Sequence, residues 1–97
     1  MPIHYCYILY SLTLDSFYIG QAVDPHIRLI EHNKAKYDKS YTTKVSDWEH
    51  YLLIECHTKT QAIKIESFIK RMKSKKFIER LKHEQQIIID ILERFKQ

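Results

Sequence analysis

Short apolar runs alternate with polar and helical segments along this chain, and the pattern predicts three strands. Residues 4–11 (HYCYILYS), 17–22 and 49–56 are rich in Tyr, Ile, Leu and Cys, which favour strands. Because only residues 12–16 separate the first two runs, these runs should form an antiparallel hairpin. The pattern does not determine which edge of this hairpin the third strand joins.

A first helix is predicted between the second and third strands. Asp24 and Pro25 mark its start, since Asp can cap free N–H groups and Pro fits the first helical position. The spacing of apolar residues predicts that Ile27 and Ile30 face the core and that the helix ends near Asn33. A long polar loop should then lead to the third strand.

Two further helices are predicted from about residue 60 onward, with a break at residues 74–76. The first carries a buried stripe at helical spacing, formed by Ala62, Ile65, Ile69 and Met72. The apolar positions of the last helix are Phe77, Ile78, Leu81, Ile88, Leu92 and Phe95. The order β-β-α-β-α-α predicts a small α/β (α+β) fold, in which helices pack on a three-stranded antiparallel or mixed sheet. We expect one domain over residues 1–97, with a core over 4–82 and a C-terminal helical extension over 83–97.

The lengths of the apolar runs, the N-terminal pattern and the number of cysteines limit the class of protein to which this chain can belong. No apolar run approaches the roughly 20 residues that cross a bilayer, and the N-terminal residues lack the pattern of a signal peptide. We therefore expect a soluble, cytoplasmic protein. Cys6 and Cys56 are too few for a disulfide framework and should be buried thiols. A zinc site that adds His4 and His57 to them would lack the usual ligand spacing.

Positive charge is concentrated in one segment of the chain. Residues 59–82 contain nine Lys or Arg and two acidic residues, a local balance of +7, whereas the whole chain carries +4. Such a segment is typical of a polyanion-binding face. For a charge run considered alone, a solvated helix surface is the better explanation.

Five polar side chains stand out against the apolar pattern, and the sequence places them on four different elements. They are Tyr7, Tyr18, Arg28, His32 and Glu66. Arg28 and His32 share one helix face, because they are four residues apart. Glu66 lies about 40° from Ala62 on a helical wheel and so borders the buried stripe. An ion pair with Lys70 is the alternative interpretation of Glu66.

Gly20 is the single glycine of the chain and falls inside the second strand. A glycine at such a position indicates a bulge or a close approach of another group to the backbone. A simple twist at the end of the strand is the alternative.

The ordered set of polar residues resembles the GIY-YIG nuclease family, in particular its small stand-alone members and the N-terminal nuclease module of the excision-repair C subunit. The matching motifs are Tyr5-Cys6-Tyr7, which keeps only the final tyrosine of the first triplet, the intact Tyr18-Ile19-Gly20, Arg28 with His32-Asn33, Tyr41-Thr42, and Ala62-x-x-x-Glu66-x-x-x-Lys70. The chain departs from the family at Phe77-Ile78, where several members carry an Asn or a similar polar residue.

The resemblance implies a GIY-YIG endonuclease-like fold and metal-dependent hydrolysis of phosphodiester bonds in DNA, with a link to structure-specific cleavage and repair. Glu66 would hold Mg²⁺ or Mn²⁺, Arg28 and Tyr18 would bind the phosphate, and either Tyr7 or His32 would be the general base. The residues expected to follow the nucleic-acid backbone are Lys70, Lys73, Lys75 and Lys76.

Two rival functions remain open at this point. The first is a nucleic-acid-binding module with the same fold and no turnover. The second is a protein-interaction domain that uses its C-terminal helix. The expected partner is DNA, with no membrane association, and the expected state is a monomer or a weak homodimer.

Overall fold

A computed structural model describes residues 3–34 and 45–96 of the chain. Its elements are β1 (His4–Ser11), β2 (Ser16–Ala22), α1 (Pro25–Asn33), β3 (Trp48–Cys56), α2 (Lys59–Met72), α3 (Lys75–His83) and α4 (Gln85–Arg94). The three strands and the first two helices lie within one residue of their predicted bounds. The pair Tyr41-Thr42, which contributes to the family resemblance, lies outside the described residues.

The sheet is antiparallel and has the strand order β2-β1-β3, so that β1 lies in the centre. The structure thereby decides which edge β3 joins. In the β1–β2 ladder Tyr7 lies opposite Gly20 and Leu9 lies opposite Tyr18. The register with β3 shifts between Ile8 and Leu9, whereas the ladder to β2 is continuous. Gly20 therefore does not mark a bulge.

Successive β1 side chains point to opposite faces of the sheet and separate two buried clusters. On one face Tyr7, Leu9 and Trp48 are buried, and Leu29 of α1 packs against them. On the other face Cys6 and Ile8 join the apolar side chains of α2, α3 and α4, and this larger cluster is the main core. The sheet therefore has α1 on one face and the other three helices on the other.

Both cysteines are free thiols that lie within this main core. Burial raises the pKa of the Cys6 thiol and that of the Cys56 thiol. These residues therefore behave as small apolar side chains, as their positions in apolar runs predict.

The predicted last helix is in fact two helices, α3 and α4, and this prediction was wrong. Glu84 ends α3 with backbone angles of φ −120° and ψ 86°, which lie outside the helical region. Its carboxylate instead accepts a hydrogen bond from Arg80 Nε at 2.8 Å. Neither Gly nor Pro occurs at the break, so the sequence carries no local signal for it. With the extra helix, the element order is β-β-α-β-α-α-α.

Three apolar residues that were predicted to face the core are exposed. Ile27 is 51% exposed, Ile30 is 39% exposed, and Met72 at the end of α2 is 43% exposed. Helix α1 instead turns Pro25 and His32 towards the sheet, where both are buried. The helix is therefore rotated relative to the prediction, because a polar residue, His32, belongs to its buried face.

Within residues 3–34 and 45–96, no helix has the length and apolar character that a membrane crossing needs.

Candidate active site

The two tyrosines of the predicted site lie side by side on the α1 face of the sheet. Tyr7 is fully buried, and its ring centroid lies 6.3 Å from that of Tyr18 on the neighbouring strand. The antiparallel register produces this arrangement, because Tyr18 is paired with Leu9, two residues from Tyr7 on the same face.

Gly20 makes room for the Tyr7 ring. A Cβ atom built at Gly20 would lie 2.6 Å from both Cζ and the hydroxyl oxygen of Tyr7. Such a distance is well inside van der Waals contact, so any other residue would displace the phenol. The close approach that a strand glycine predicts is therefore the approach of a site side chain.

Helix α1 places His32 beside the Tyr7 hydroxyl. Its N terminus is capped by Asp24, whose carboxylate accepts a hydrogen bond from Ile27 N at 3.1 Å. At the other end, His32 is 2% exposed, and its Nε2 lies 3.1 Å from the Tyr7 oxygen. The His32 ring is also 4.8 Å from the ring of Tyr18. These three side chains form one contiguous group, which we call the Tyr-His cluster.

Burial keeps both partners of this hydrogen bond neutral. Desolvation raises the pKa of Tyr7 to about 12. Desolvation, together with the positive charge of Arg28, lowers the pKa of His32. At neutral pH the hydrogen bond therefore joins a neutral phenol to a neutral imidazole. With the imidazole proton assigned to Nδ1, the Tyr7 hydroxyl donates to Nε2.

Arg28 brings a positive charge to the Tyr-His cluster. A hydrogen bond from its guanidinium and its charge both lower the pKa of Tyr7, although less than desolvation raises it. Its side chain is 37% exposed, and one of its nitrogens lies 3.9 Å from Glu31. Arg28 therefore links the buried phenol to the solvent-facing surface of the site.

Glu66 reaches this region from α2, on the other side of the sheet. Its carboxylate contributes to the raised pKa of Tyr7, where desolvation is the largest cause. The acid thus lies near enough to the phenol for their charges to interact. Its side chain is 19% exposed, and Oε2 lies 2.5 Å from Nζ of Lys70. The ion pair that the sequence offered as an alternative therefore forms in this structure.

The lysines predicted to follow nucleic acid lie in different settings. Lys70 pairs with Glu66, as described above. Lys75 donates hydrogen bonds to the backbone carbonyl and the carboxylate of Asp15 in the β1–β2 turn. Lys73 ends α2 in a left-handed conformation with φ 48°. Lys76, in the first turn of α3, is exposed.

The structure adds one site residue whose contacts the sequence did not reveal. The Asn33 side chain accepts a hydrogen bond from Trp48 N at 2.8 Å and donates one to Trp48 O at 2.9 Å. Trp48 in turn is 2% exposed, and its ring lies 6.4 Å from that of Tyr18. Asn33 thus fixes the end of α1, and with it His32, to the start of β3. The sequence signal for Asn33 was its place in the His32-Asn33 pair that contributes to the family resemblance.

The position where the family often carries a polar residue is apolar in this structure. Phe77 packs against Phe68 with ring centroids 6.1 Å apart, and Ile78 is 5% exposed within the main core. These side chains stabilise α3 and make no polar contribution to the Tyr-His cluster.

A divalent cation would have few protein ligands at this site. Among the described residues, no group of three or more His, Cys, Asp or Glu side chains is arranged to hold a metal ion. Hydrated Mg²⁺ nevertheless needs only one or two carboxylates when substrate phosphate supplies further oxygens. The single, partly exposed carboxylate of Glu66 fits this mode of binding.

Comparison with known proteins gives one match. The family model described as the GIY-YIG catalytic domain matches residues 3–88, which is most of the chain. No curated protein and no solved structure matches.

Proposed function

The chain belongs to the GIY-YIG family of nuclease catalytic domains, and from this premise we propose that it is a metal-dependent endonuclease that hydrolyses phosphodiester bonds in DNA. The observation that carries the proposal is the hydrogen bond between the Tyr7 hydroxyl and Nε2 of His32 at 3.1 Å, beside the charge of Arg28. Such a phenol–imidazole pair can receive a proton from an attacking water.

Tyr7 and His32 act together in the proposed proton transfer. The Tyr7 phenol, whose pKa is about 12, is protonated at neutral pH and cannot act as a base by itself. Neutral His32 accepts the phenolic proton while the Tyr7 oxygen takes one from water. The resulting hydroxide attacks phosphorus, and the P–O bond to the leaving oxygen breaks. This use of a neutral imidazole suits general-base chemistry near neutral pH.

Arg28 and Tyr18 stabilise the phosphate during this attack. The forked guanidinium of Arg28 offers several donors to the spread-out negative charge. The Tyr18 hydroxyl, which belongs to the Tyr-His cluster, donates a further hydrogen bond to the phosphate. A divalent cation bound to Glu66 would supply positive charge at the phosphate and lower the pKa of a bound water. Lys70 would then release the carboxylate, while Lys73, Lys75 and Lys76 would add positive potential for the nucleic-acid backbone.

Two observations favour a second candidate, a nucleic-acid-binding module without turnover. Tyr7 and His32 are 0% and 2% exposed, so water must gain access to the phenol before any proton transfer. The Glu66 carboxylate is also held by Lys70 at 2.5 Å. In such a module, both arrangements would serve only to stabilise the fold.

A plasmid-nicking assay distinguishes the two candidates. We expect nicking by the wild type with Mg²⁺ or Mn²⁺, loss of nicking in Glu66→Gln, and a loss of about 10²- to 10⁴-fold in Tyr7→Phe. Circular dichroism should show that both variants remain folded. Lys82→Gln, which alters an exposed charge on α3, is the matched control and should nick like the wild type.

Binding without nicking, with either metal and on several substrates, would establish the binding module instead.

The resemblance to the excision-repair module extends the proposal to structure-specific cleavage in repair. Flap, bubble, nicked and linear DNA should then be cut at different rates under one set of conditions.

A further inference from the structure

The outward face of α2 carries an open groove of about 520 Å³. Its lining residues come from α2 and from the end of the chain after α4: Ile63, Lys64, Ser67, Lys70, Arg71 and Phe95. Of these six, only Lys70 belongs to the predicted nucleic-acid-binding residues. We call this surface the α2 groove.

The α2 groove is basic along its length. Lys64 and Arg71 are seven residues apart, with Ser67 between them, so they lie on one helix face and are separated by roughly 10 Å along the axis. The described lining residues include no carboxylate. Within the described ranges, neither Lys64 nor Arg71 forms an ion pair. Their charges are therefore available to an anionic ligand.

Lys70 connects the groove with the candidate active site. Lys70 lines it and also binds the Glu66 carboxylate at 2.5 Å. Ser67 directly follows Glu66 in sequence. An anionic chain held at Glu66 by Lys70 would therefore have the basic groove as a neighbouring surface.

Apolar groups accompany the charges. Ile63 is 43% exposed at one side of the groove. At the other side, Phe95 packs on Phe68 with ring centroids 5.4 Å apart, and the Arg94 guanidinium lies 5.3 Å from the Phe95 ring. Basic groups interspersed with apolar surface suit a polynucleotide backbone, which presents sugar carbons as well as phosphates, better than a small free anion.

We propose that the α2 groove binds the phosphodiester backbone of DNA on one side of the scission point, with Lys64 and Arg71 each contacting a phosphate. Phosphates of one strand advance about 3.4 Å per step along a duplex axis, so the two side chains span about three steps. Contacts of this kind position the nucleic acid and carry no sequence information. The inference rests on the proposed function, since it assigns a path to the substrate of that site.

The test compares two double variants that lose the same charge. Lys64→Gln/Arg71→Gln removes two charges from the groove, and Arg80→Gln/Lys82→Gln removes two from α3, where Lys82 lies over the Tyr51 ring of β3. Binding of a short labelled duplex is followed by fluorescence anisotropy in EDTA over a range of salt concentrations. Plasmid nicking at subsaturating DNA is followed in parallel with Mg²⁺.

The groove variant should bind the duplex about tenfold more weakly at low salt, and its salt dependence (log K against log[salt]) should be shallower by about two. Its nicking at subsaturating DNA should fall in proportion. The α3 variant should bind and nick like the wild type. Equal weakening of both variants, or of neither, would overturn the groove assignment. So would binding to anionic phospholipid vesicles without binding to DNA.

The anisotropy measurement separates this inference from the proposed function. Groove-dependent binding without nicking by the wild type would support the groove and reject the nuclease. Nicking that is indifferent to the groove variant would support the nuclease and reject the groove.

Discussion

Tyr7 shows how burial and a single neighbouring contact set the chemistry of one side chain. Desolvation opposes ionisation of its phenol and protonation of His32, so the pKa of Tyr7 is raised and that of His32 is lowered. The pKa of Tyr7 rises and the pKa of His32 falls, and both changes favour a neutral phenol beside a neutral imidazole. The hydrogen bond of 3.1 Å that joins them therefore needs no charge on either partner.

These pKa shifts predict two pH windows for stability. Because the pKa of His32 is lowered, its contribution to the unfolding free energy is complete above its ordinary pKa of 6.5 and is lost as pH falls through the lowered value. Because the pKa of Tyr7 is raised, its contribution is complete below 10 and is lost as pH rises towards about 12. Urea unfolding at a series of pH values measures both the acidic and the alkaline loss of stability.

Direct titration of His32 by NMR should give a pKa below 6.5. In His32→Gln the acidic decline in stability should become shallower, whereas the alkaline decline should remain. A His32 pKa above 6.5 would contradict the burial argument.

Gly20→Ala should destabilise the protein and disable the site. Its Cβ would lie 2.6 Å from the Tyr7 hydroxyl oxygen, so the phenol must move away from His32. Overpacking of this kind costs about 1–3 kcal/mol. Urea unfolding measures the loss of stability, and the NMR titration of His32 reports the change in its environment.

Ser16→Ala, at the start of the same strand, is the control for Gly20→Ala and should lower the free energy of unfolding by less. An unchanged His32 titration in Gly20→Ala would show that the Tyr7 ring can shift without loss of the contact.

At the scale of elements, the site depends on how α1 is held against β3. Asn33 ties the last residue of α1 to the backbone of Trp48 through two hydrogen bonds of 2.8 and 2.9 Å. This contact holds α1 in the orientation that turns His32 inward and leaves Ile27 and Ile30 exposed. Hydrophobic patterning alone predicted the opposite rotation.

Asn33→Ala should lower the free energy of unfolding by about 2 kcal/mol, because it removes the hydrogen bond donated by Trp48 N and the one accepted by Trp48 O. Asn33→Asp keeps the acceptor for Trp48 N and should lose less. Chemical denaturation of the wild type and of the two variants measures their free energies of unfolding, which should decrease from the wild type to Asn33→Asp to Asn33→Ala. Equal losses in the two variants would show that the hydrogen bond to Trp48 N contributes little.

The β1–β2 turn is a second element held by polar contacts. Asp47 accepts hydrogen bonds from Ser11 Oγ at 2.6 Å and from Thr13 N and Oγ1 at 2.9 Å. The hydrogen bond from Ser11 is the largest cause of the lowered pKa of Asp47. On the other side of the turn, Asp15 is held by Tyr10 and Lys75. The hairpin that presents Tyr7 and Tyr18 is therefore fixed at its tip.

At the scale of the whole molecule, α4 completes the main core, although the family match ends within it, at residue 88. Ile91 is 5% exposed in that core. Gln61 of α2 donates a hydrogen bond to Leu92 O at 2.9 Å and accepts one from His57 N at 2.7 Å. Helix α4 thus packs on the main core.

Ile91→Ala should therefore cost about 2–4 kcal/mol, a large share of the stability of a domain this small. Ile89→Ala, at a position that is 50% exposed, should change stability by no more than about 0.5 kcal/mol. Thermal or urea unfolding compares the two. Similar effects of both substitutions would mean that α4 does not dock as described.

The sequence by itself determined the strands and the first two helices, and it singled out five candidate site residues. Alternating and helical apolar spacing are local properties, so they can be read from residues close together in the chain. The five polar side chains from Tyr7 to Glu66 stood out because they interrupt that spacing.

Only the tertiary structure decided the central place of β1, the rotation of α1 and the break at Glu84. Each depends on contacts between residues far apart in sequence, such as Asn33 with Trp48. The role of Gly20 became clear in the same way, because a missing Cβ has meaning only beside the ring that occupies its space. Local propensity is weak compared with the free energy of such contacts, so it cannot specify them.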